Sequence, residues 1–171
     1  MRSLLKPRQT HASIFDIDLR SYWDRGYQNI IIDVDNTITA WNHYKITPKL
    51  KEWISKAKDT GFHICLLSNS SQSKIRAFAL ELGVTYSPIG GKPFARGFYC
   101  ALTELGATVQ DTLVIGDQIF TDILGGNRAG MFTILVDPID KREFIGTRLT
   151  RLMERLVAGR RPVCKSLQQP R

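Results

Sequence analysis

Five short apolar runs, separated by stretches of helical period that each close on a glycine, leave few folds open to this 171-residue chain. After a lead-in of residues 1–28 the runs are Asn29 to Val34, Phe62 to Leu67, a weaker one at Val84 to Tyr86, Thr112 to Ile115, and Phe132 to Val136. Between them, Pro48 to Lys58 predicts a helix with proline near its first turn and Leu50, Ile54 and Ala57 on one side. Ser71 to Leu82 aligns Ile75, Phe78, Ala79 and Leu82, and Phe94 to Leu105 and Ile119 to Ala129 complete the alternation. Gly61, Gly83, Gly106 and Gly130 stand where a left-handed C-cap suits glycine. Strands without clean polar alternation, joined through such helices, predict a sheet covered on both faces. The expected fold class is therefore α/β: a single doubly wound, three-layer domain with a mostly parallel central sheet. Its expected limits are 29–158, with 1–28 as a lead-in that can dock on the domain and 159–171 as a basic tail.

Charge is concentrated at one end. Residues 141–171 carry nine Lys or Arg against two Glu, a net +7 of the chain's +8. A basic end on a nearly neutral body suits a polyanionic partner, an anionic membrane surface or a nucleic acid. Thr147 to Ala158 predicts a last helix with Leu149, Leu152, Met153, Leu156 and Val157 on one stripe and Arg148, Arg151 and Arg155 beside it, followed by Arg160-Arg161-Pro162. Apolar residues make up 43% of the chain, yet no run approaches the roughly 20 residues needed to cross a bilayer. The start lacks the apolar core of a secretory signal, and Asp16, Asp18 and Asp24 come too early for an organellar leader. Cys65, Cys100 and Cys164 are scattered, as in a reducing compartment. A cytoplasmic chain is expected, with peripheral attachment to the inner face of the membrane.

Polar residues follow the apolar runs directly, where ligands collect at the edge of a parallel sheet. They are Asp33-Val34-Asp35-Asn36-Thr37, Ser68-Asn69-Ser70, Gly91-Lys92-Pro93, and Gly116-Asp117 followed by Asp122. Asp33 and Asp35 share a direction because side chains alternate with period two. Asp16-Ile17-Asp18 repeats their spacing, but after a stretch of only two apolar residues and without Asn-Thr behind it. In this order the segments resemble the haloacid dehalogenase-like phosphohydrolase superfamily. With Trp41, Thr47-Pro48, Gln118-Ile119-Phe120-Thr121, Gly125-Gly126-Asn127-Arg128-Ala129-Gly130 and Glu143-Phe144, they resemble more narrowly its subfamily IIIA phosphatases of the YqeG type, a group that includes phosphatidylglycerophosphate phosphatases. Asn36-Thr37-Ile38 stands where most of the superfamily has Gly-Thr-Leu, a departure shared with the subfamily.

The resemblance implies roles that elementary chemistry supports. A phosphate monoester repels nucleophiles, so its site must supply cations and oriented donors. Asp33 would attack phosphorus and become an aspartyl-phosphate, and Asp35 would protonate the leaving oxygen and then activate water. Ser68, Asn69 and Lys92 would hold the phosphoryl oxygens. Asp33, the Asp35 carbonyl and Asp117 form an oxygen-only set suited to Mg²⁺. Asp122 would join that set directly or through water, or else orient Asp117 and Lys92. Asn36, Thr37, Gln118, Asn127 and Arg128 are expected in support. Zinc is disfavoured because His11, His43 and His63 are dispersed without a cysteine pair, and the glycine-rich 125–130 segment lacks the P-loop pattern and reads chiefly as close helix packing.

The segments from Asn36 to Phe62 and from Ser71 to Gly91 are too short for the family's cap domains, which predicts an open site. An open site suits a phosphate carried on something large, such as a phospholipid head group, and the resemblance points to phosphatidylglycerophosphate. Trp41, Tyr44 and Trp53, with Tyr22, Trp23 and Tyr27, and Leu4-Leu5 ahead of Lys6, are candidates for contact with a membrane interface. Two rival readings are the same chemistry on a soluble or protein phosphoester, and a silent scaffold that binds nucleic acid through its tail. Against the latter, no dedicated nucleic-acid motif is present and every acidic position is intact.

Overall fold

The computed structural model describes residues 4–41 and 43–140. Its centre is β2 (Asn29–Ile32), buried along its whole length. Three successive isoleucines suit a strand covered on both faces: Ile30 and Ile32 join one hydrophobic cluster and Ile31 the other. β2 pairs in parallel with β3 (His63–Leu66) and with β5 (Thr112–Gly116), in a register that sets Ile32 beside both Leu66 and Ile115. β4 (Thr85–Tyr86) lies outside β3, and β6 (Phe132–Val136) lies outside β5. The last edge is β1 (Gln9–His11), paired with β6, giving the order β1-β6-β5-β2-β3-β4 with every pairing parallel.

Helices cover both faces. α1 (Leu19–Trp23), α2 (Pro48–Thr60) and α3 (Gln72–Leu82) contribute to the cluster that holds Ile30 and Ile32. α4 (Ala95–Leu105) and α5 (Leu124–Ala129) contribute Phe98, Ala101, Leu102 and Ala129 to the other. The start and stop of α2 follow from local chemistry. Thr47 accepts a hydrogen bond from the Leu50 amide at 3.2 Å, Pro48 opens the first turn, and Gly61 closes the helix at φ 113°. A side chain at Gly61 is excluded twice, because its Cβ would also stand 2.4 Å from the Trp23 ring.

The structure adds to the sequence expectation in one place and departs from it in two. The lead-in supplies a strand and part of the core: Ile14, Ile17, Leu19 and Tyr22 are buried, and the Arg8 amide donates to Thr133 O. β2 stops at Ile32, before Val34, because the chain then turns, with the Asn36 amide donating to Thr39 O at 2.7 Å. The helix expected over 119–129 begins as a π-helical turn, Ile119–Ile123, before continuing as α5. The expected helix over 147–158, the Glu143-Phe144 pair and the basic residues 159–171 lie outside the described residues. Among the described residues no helix is long and apolar enough to cross a membrane.

Candidate active site

Beside β2 the strand order reverses while every strand keeps its direction: β3 and β4 follow on one side, β5 and β6 on the other. Such a switch point opens a crevice at the carboxyl ends of the strands. The backbone there is fixed by the sheet, with Asp33 N donating to Ile115 O at 2.9 Å and Leu67 N to Ile32 O at 3.0 Å. Asp33, Ser68 and Asp117 therefore leave three adjacent strands at one level.

Lys92 crosses into this crevice from the loop before α4. Its Nζ donates to Asp33 Oδ1 at 2.5 Å and to Asp122 Oδ1 at 2.7 Å, and all three side chains are at least nine-tenths buried. Burial alone would push the ammonium down, but the two carboxylates more than offset it and hold Lys92 above its ordinary value. Asp33 is pushed up to about 6 by burial, reinforced by Asp122 and Asp35 and opposed by Lys92. Asp117 is pushed up to about 8 by burial, then by the charges of Asp33 and Asp122. The π-helical turn brings Asp122 back over the strand end, where its Oδ2 accepts from the Gln118 amide at 3.1 Å. Gly116 makes this approach possible, since a Cβ there would stand 2.3 Å from the Asp122 carboxylate.

Asp35 has different company. Its Oδ2 accepts from Ser68 Oγ at 3.2 Å and from Ser70 Oγ at 2.6 Å, while the Ser70 amide donates to Ser68 Oγ at 3.0 Å. Ser70 was not expected as a site residue; its signal was the hydroxyl two positions beyond Ser68. The Thr37 hydroxyl lies 3.3 Å from Asp33 Oδ2 and 3.1 Å from Asp117 Oδ1, so it can donate to either. Asn36 adopts φ 64°. That left-handed backbone suits glycine and is tolerated by asparagine, which accounts for Asn36 in a position where most of the superfamily has glycine. Tyr44, at φ 44°, packs its ring on Phe78, and burial pushes its phenol up, with Ser70, Asp35 and Asp33 in electrostatic reach.

Four expected residues are placed otherwise. Asn69, expected on the phosphate, has its carbonyl taken by the amides of Gly91 and Lys92, both at 2.8 Å, and its NH₂ donates to Lys92 O at 3.0 Å. It clamps the loop that carries Lys92. Asn127 donates to Leu4 O at 2.7 Å and Lys6 O at 3.0 Å, fastening the lead-in rather than facing the crevice. The Gln118 side-chain carbonyl accepts from Thr121 Oγ1, and Arg128 is exposed in the last turn of α5. Gly125 and Gly126 serve packing, because added Cβ atoms would stand 2.3 Å from Phe98 and 2.7 Å from Thr133. The expected aromatic rim is mostly core: Trp53 and Tyr22 are buried, Trp23 packs on Phe62, and Tyr27 packs on Phe132. A cavity of about 710 Å³ lies at the opposite edge, lined by Lys58, Phe62, His63, Leu80 and Glu104, and contains none of the crevice residues.

One oxygen from each of Asp33, Asp117 and Asp122 falls within 4.8 Å of the others. Three carboxylates against one ammonium, with two of the carboxyls raised well above their ordinary range, is an arrangement that a hard divalent cation relieves. The oxygen-only donor set fits Mg²⁺ and gives zinc no nitrogen or sulfur ligand.

Residues 13–130 match the model of the haloacid dehalogenase-like hydrolases. The chain is 33% identical over 157 residues to a probable phosphatase of Bacillus subtilis, YqeG, with 92% of this chain and 91% of that protein covered. It is 31% identical to phosphatidylglycerophosphate phosphatase 1, chloroplastic/mitochondrial, of Arabidopsis thaliana; 96% of this chain aligns, but it spans only 53% of the plant protein. Among solved structures, an uncharacterised protein from Listeria monocytogenes superposes with a TM-score of 0.53 at 19% identity, covering 77% of this chain and 97% of that one, which bears on the fold alone. With the family model covering most of the described chain and the acidic cluster at the matching strand ends, the chain belongs to the haloacid dehalogenase-like hydrolases, in the YqeG-type group.

Proposed function

We propose that the chain is a Mg²⁺-dependent phosphomonoester hydrolase that works through an aspartyl-phosphate and dephosphorylates phosphatidylglycerophosphate to phosphatidylglycerol. The observation that carries the chemistry is the buried Lys92 held between Asp33 and Asp122, with Asp117 beside them. Asp33 attacks phosphorus, the bond from phosphorus to the alcohol oxygen breaks, and Asp35 gives that oxygen a proton. Water then attacks the phosphorus of the aspartyl-phosphate, its proton passes to Asp35, and inorganic phosphate leaves with Asp33 restored. Lys92 offsets charge on Asp33 and on the transferring group, and Ser68 with the amides after it receives phosphoryl oxygens. Ser70 holds Asp35 in place. Asn69 acts through Lys92, as a positioning residue.

Asp33, Asp117 and the Asp35 carbonyl would hold Mg²⁺, which supplies positive charge against the phosphoryl oxygens. Asp122 would act by orientation, since both of its oxygens are engaged by Lys92 and the Gln118 amide.

The lipid substrate has two supports. The plant relative is named for it. In addition, only α2 lies between Thr37 and β3, and only α3 and β4 lie between Ser70 and Lys92, so among the described residues no cap encloses the crevice. The test is phosphate release from phosphatidylglycerophosphate in anionic mixed micelles with Mg²⁺ or EDTA, beside a panel of soluble phosphomonoesters and with Asp33→Asn as control. Metal-dependent turnover of the lipid well above that of every soluble ester supports the full reading. Turnover of soluble esters alone keeps the chemistry and removes the lipid; no turnover together with salt-sensitive RNA binding would favour the scaffold reading.

A further inference from the structure

Among the described residues, five large apolar side chains stand exposed on the loops and the π-helical turn at the catalytic edge: Trp41 at 40%, Phe94 at 56%, Ile119 at 38%, Phe120 at 46% and Ile139 at 52%. Each loop also carries or touches the site. Trp41 lies on the loop that follows Asp35, and Phe94 is two residues past Lys92, its amide donating to Gly91 O at 2.9 Å. Ile119 and Phe120 follow Asp117 and Gln118, and the Ile139 amide donates to Asn36 O at 2.9 Å. None of these five side chains belongs to either hydrophobic cluster.

Apolar side chains gathered around a polar crevice mark a contact surface more strongly than apolar residues scattered singly. The geometry points to this rim as a docking surface for an anionic bilayer, with the five side chains entering the head-group boundary and the crevice opening onto phosphates that stand out of it. The proposal rests on the lipid reading above and names the residues that bring the site to its substrate. A bilayer is favoured because these apolar side chains surround a polar crevice and basic side chains flank them, while the nucleophile, only 6% exposed, is reached by a phosphate that projects end-on into the crevice.

Charge agrees with that occupant. Exposed Lys45, Lys74 and Arg96 flank the rim near the starts of α2, α3 and α4, against Asp137 and Asp140 on the loop after β6. The 31 residues that follow Asp140 in the chain carry a net +7, a charge that draws the whole protein toward anionic lipid whichever face meets it. Basic residues draw a protein to anionic lipid, and apolar rings then hold it there.

The experiment uses the full chain and three proteins: wild type, Phe94→Ser/Phe120→Ser, and Leu80→Ser. Leu80, 68% exposed on α3 and lining the cavity at the opposite edge, is the control. Partition onto vesicles of phosphatidylcholine with and without phosphatidylglycerol is measured beside turnover of p-nitrophenyl phosphate. The rim variant is expected to lose at least tenfold in partition onto anionic vesicles while its kcat/KM for the soluble ester stays within twofold; Leu80→Ser is expected to match wild type in both. Wild-type partition by the rim variant, equal loss by Leu80→Ser, no partition by wild type, or a change of oligomeric state caused by the rim substitutions would overturn the proposal. If wild type binds vesicles through the rim but leaves phosphatidylglycerophosphate intact, the substrate assignment fails and the docking surface stands. If it hydrolyses the lipid and the rim variant binds and hydrolyses equally well, the reverse holds.

Discussion

The chain contains the same three-residue pattern twice, and the two copies have different fates. In Asp16-Ile17-Asp18 the isoleucine is buried and both carboxylates are exposed; in Asp33-Val34-Asp35 the valine is buried and so are both carboxylates. Spacing would give the two acids a shared direction only in extended backbone, which the two copies do not share. The first copy sits where a short 3₁₀ turn gives way to α1, so its acids point into water, and Asp18 caps the helix by accepting from the Ser21 amide at 3.3 Å. The second sits at the end of the central strand, among Lys92, Asp117 and Asp122. A carboxylate becomes chemically useful when the fold withdraws it from water and surrounds it with groups that respond to its charge.

The largest expected effect separates the copies outright. Asp33→Asn removes the nucleophile and should lower metal-dependent phosphate release by about a thousandfold or more, whereas Asp16→Asn should leave it within about twofold. Comparable losses in the two variants would mean that position at the strand end does not distinguish these acids. Next in size, Lys92→Met should lower kcat by roughly a hundredfold, because it removes the charge facing Asp33 and Asp122. Full activity in that variant would show that the second copy does not depend on its cation.

Stability against pH sharpens the contrast. Asp33 and Asp117 are raised to about 6 and about 8 from an ordinary carboxylate value of 3.8. Between pH about 4 and 8 the folded state therefore binds more protons than the unfolded one, and the contribution of these groups to stability falls as pH rises through that window. Denaturation in EDTA should show this decline, and Mg²⁺ should stabilise the protein more at pH 8 than at pH 6, since binding requires the carboxylates without their protons. A Mg²⁺ effect that is flat with pH would contradict the acidic cluster as the binding site.

Much of this organisation is legible in the sequence, for local reasons. Helix stops were marked by glycines that do adopt left-handed conformations, Gly83 at φ 64° and Gly106 at φ 63° among them. Asp33, Asp35, Ser68 and Asp117 were marked by their place just behind apolar runs, and Lys92 by its place between the Ser68 and Asp117 segments. β1 was not legible: Gln9-Thr10-His11 has no apolar periodicity, and its support is a parallel partner more than 120 residues away. The roles of Asn69 and Asn127 were hidden for the same reason, since each amide binds backbone distant in sequence. Aromatic residues misled because a ring carries no sign of its direction. Trp53 and Tyr22 turned inward, while Phe94 and Phe120, apolar residues in stretches that read as helix, stayed at the surface.

The smallest expected effect belongs to the first copy and asks whether its remaining function is structural. Asp18 accepts from a single amide at the start of a five-residue helix, and Leu19 and Tyr22 of that helix are buried against the sheet. Replacing such a cap with alanine typically costs about 0.5–2 kcal/mol. The lower end applies to Asp18→Ala, because the bond is long and exposed and packing of Leu19 and Tyr22 holds α1 without it. Urea denaturation should therefore shift slightly to lower midpoint at unchanged slope, while kcat for a soluble phosphomonoester stays at the wild-type value. A fall in kcat without a fall in stability would tie the first pair to the chemistry after all, and would remove position at the strand end as the reason the second pair is the reactive one.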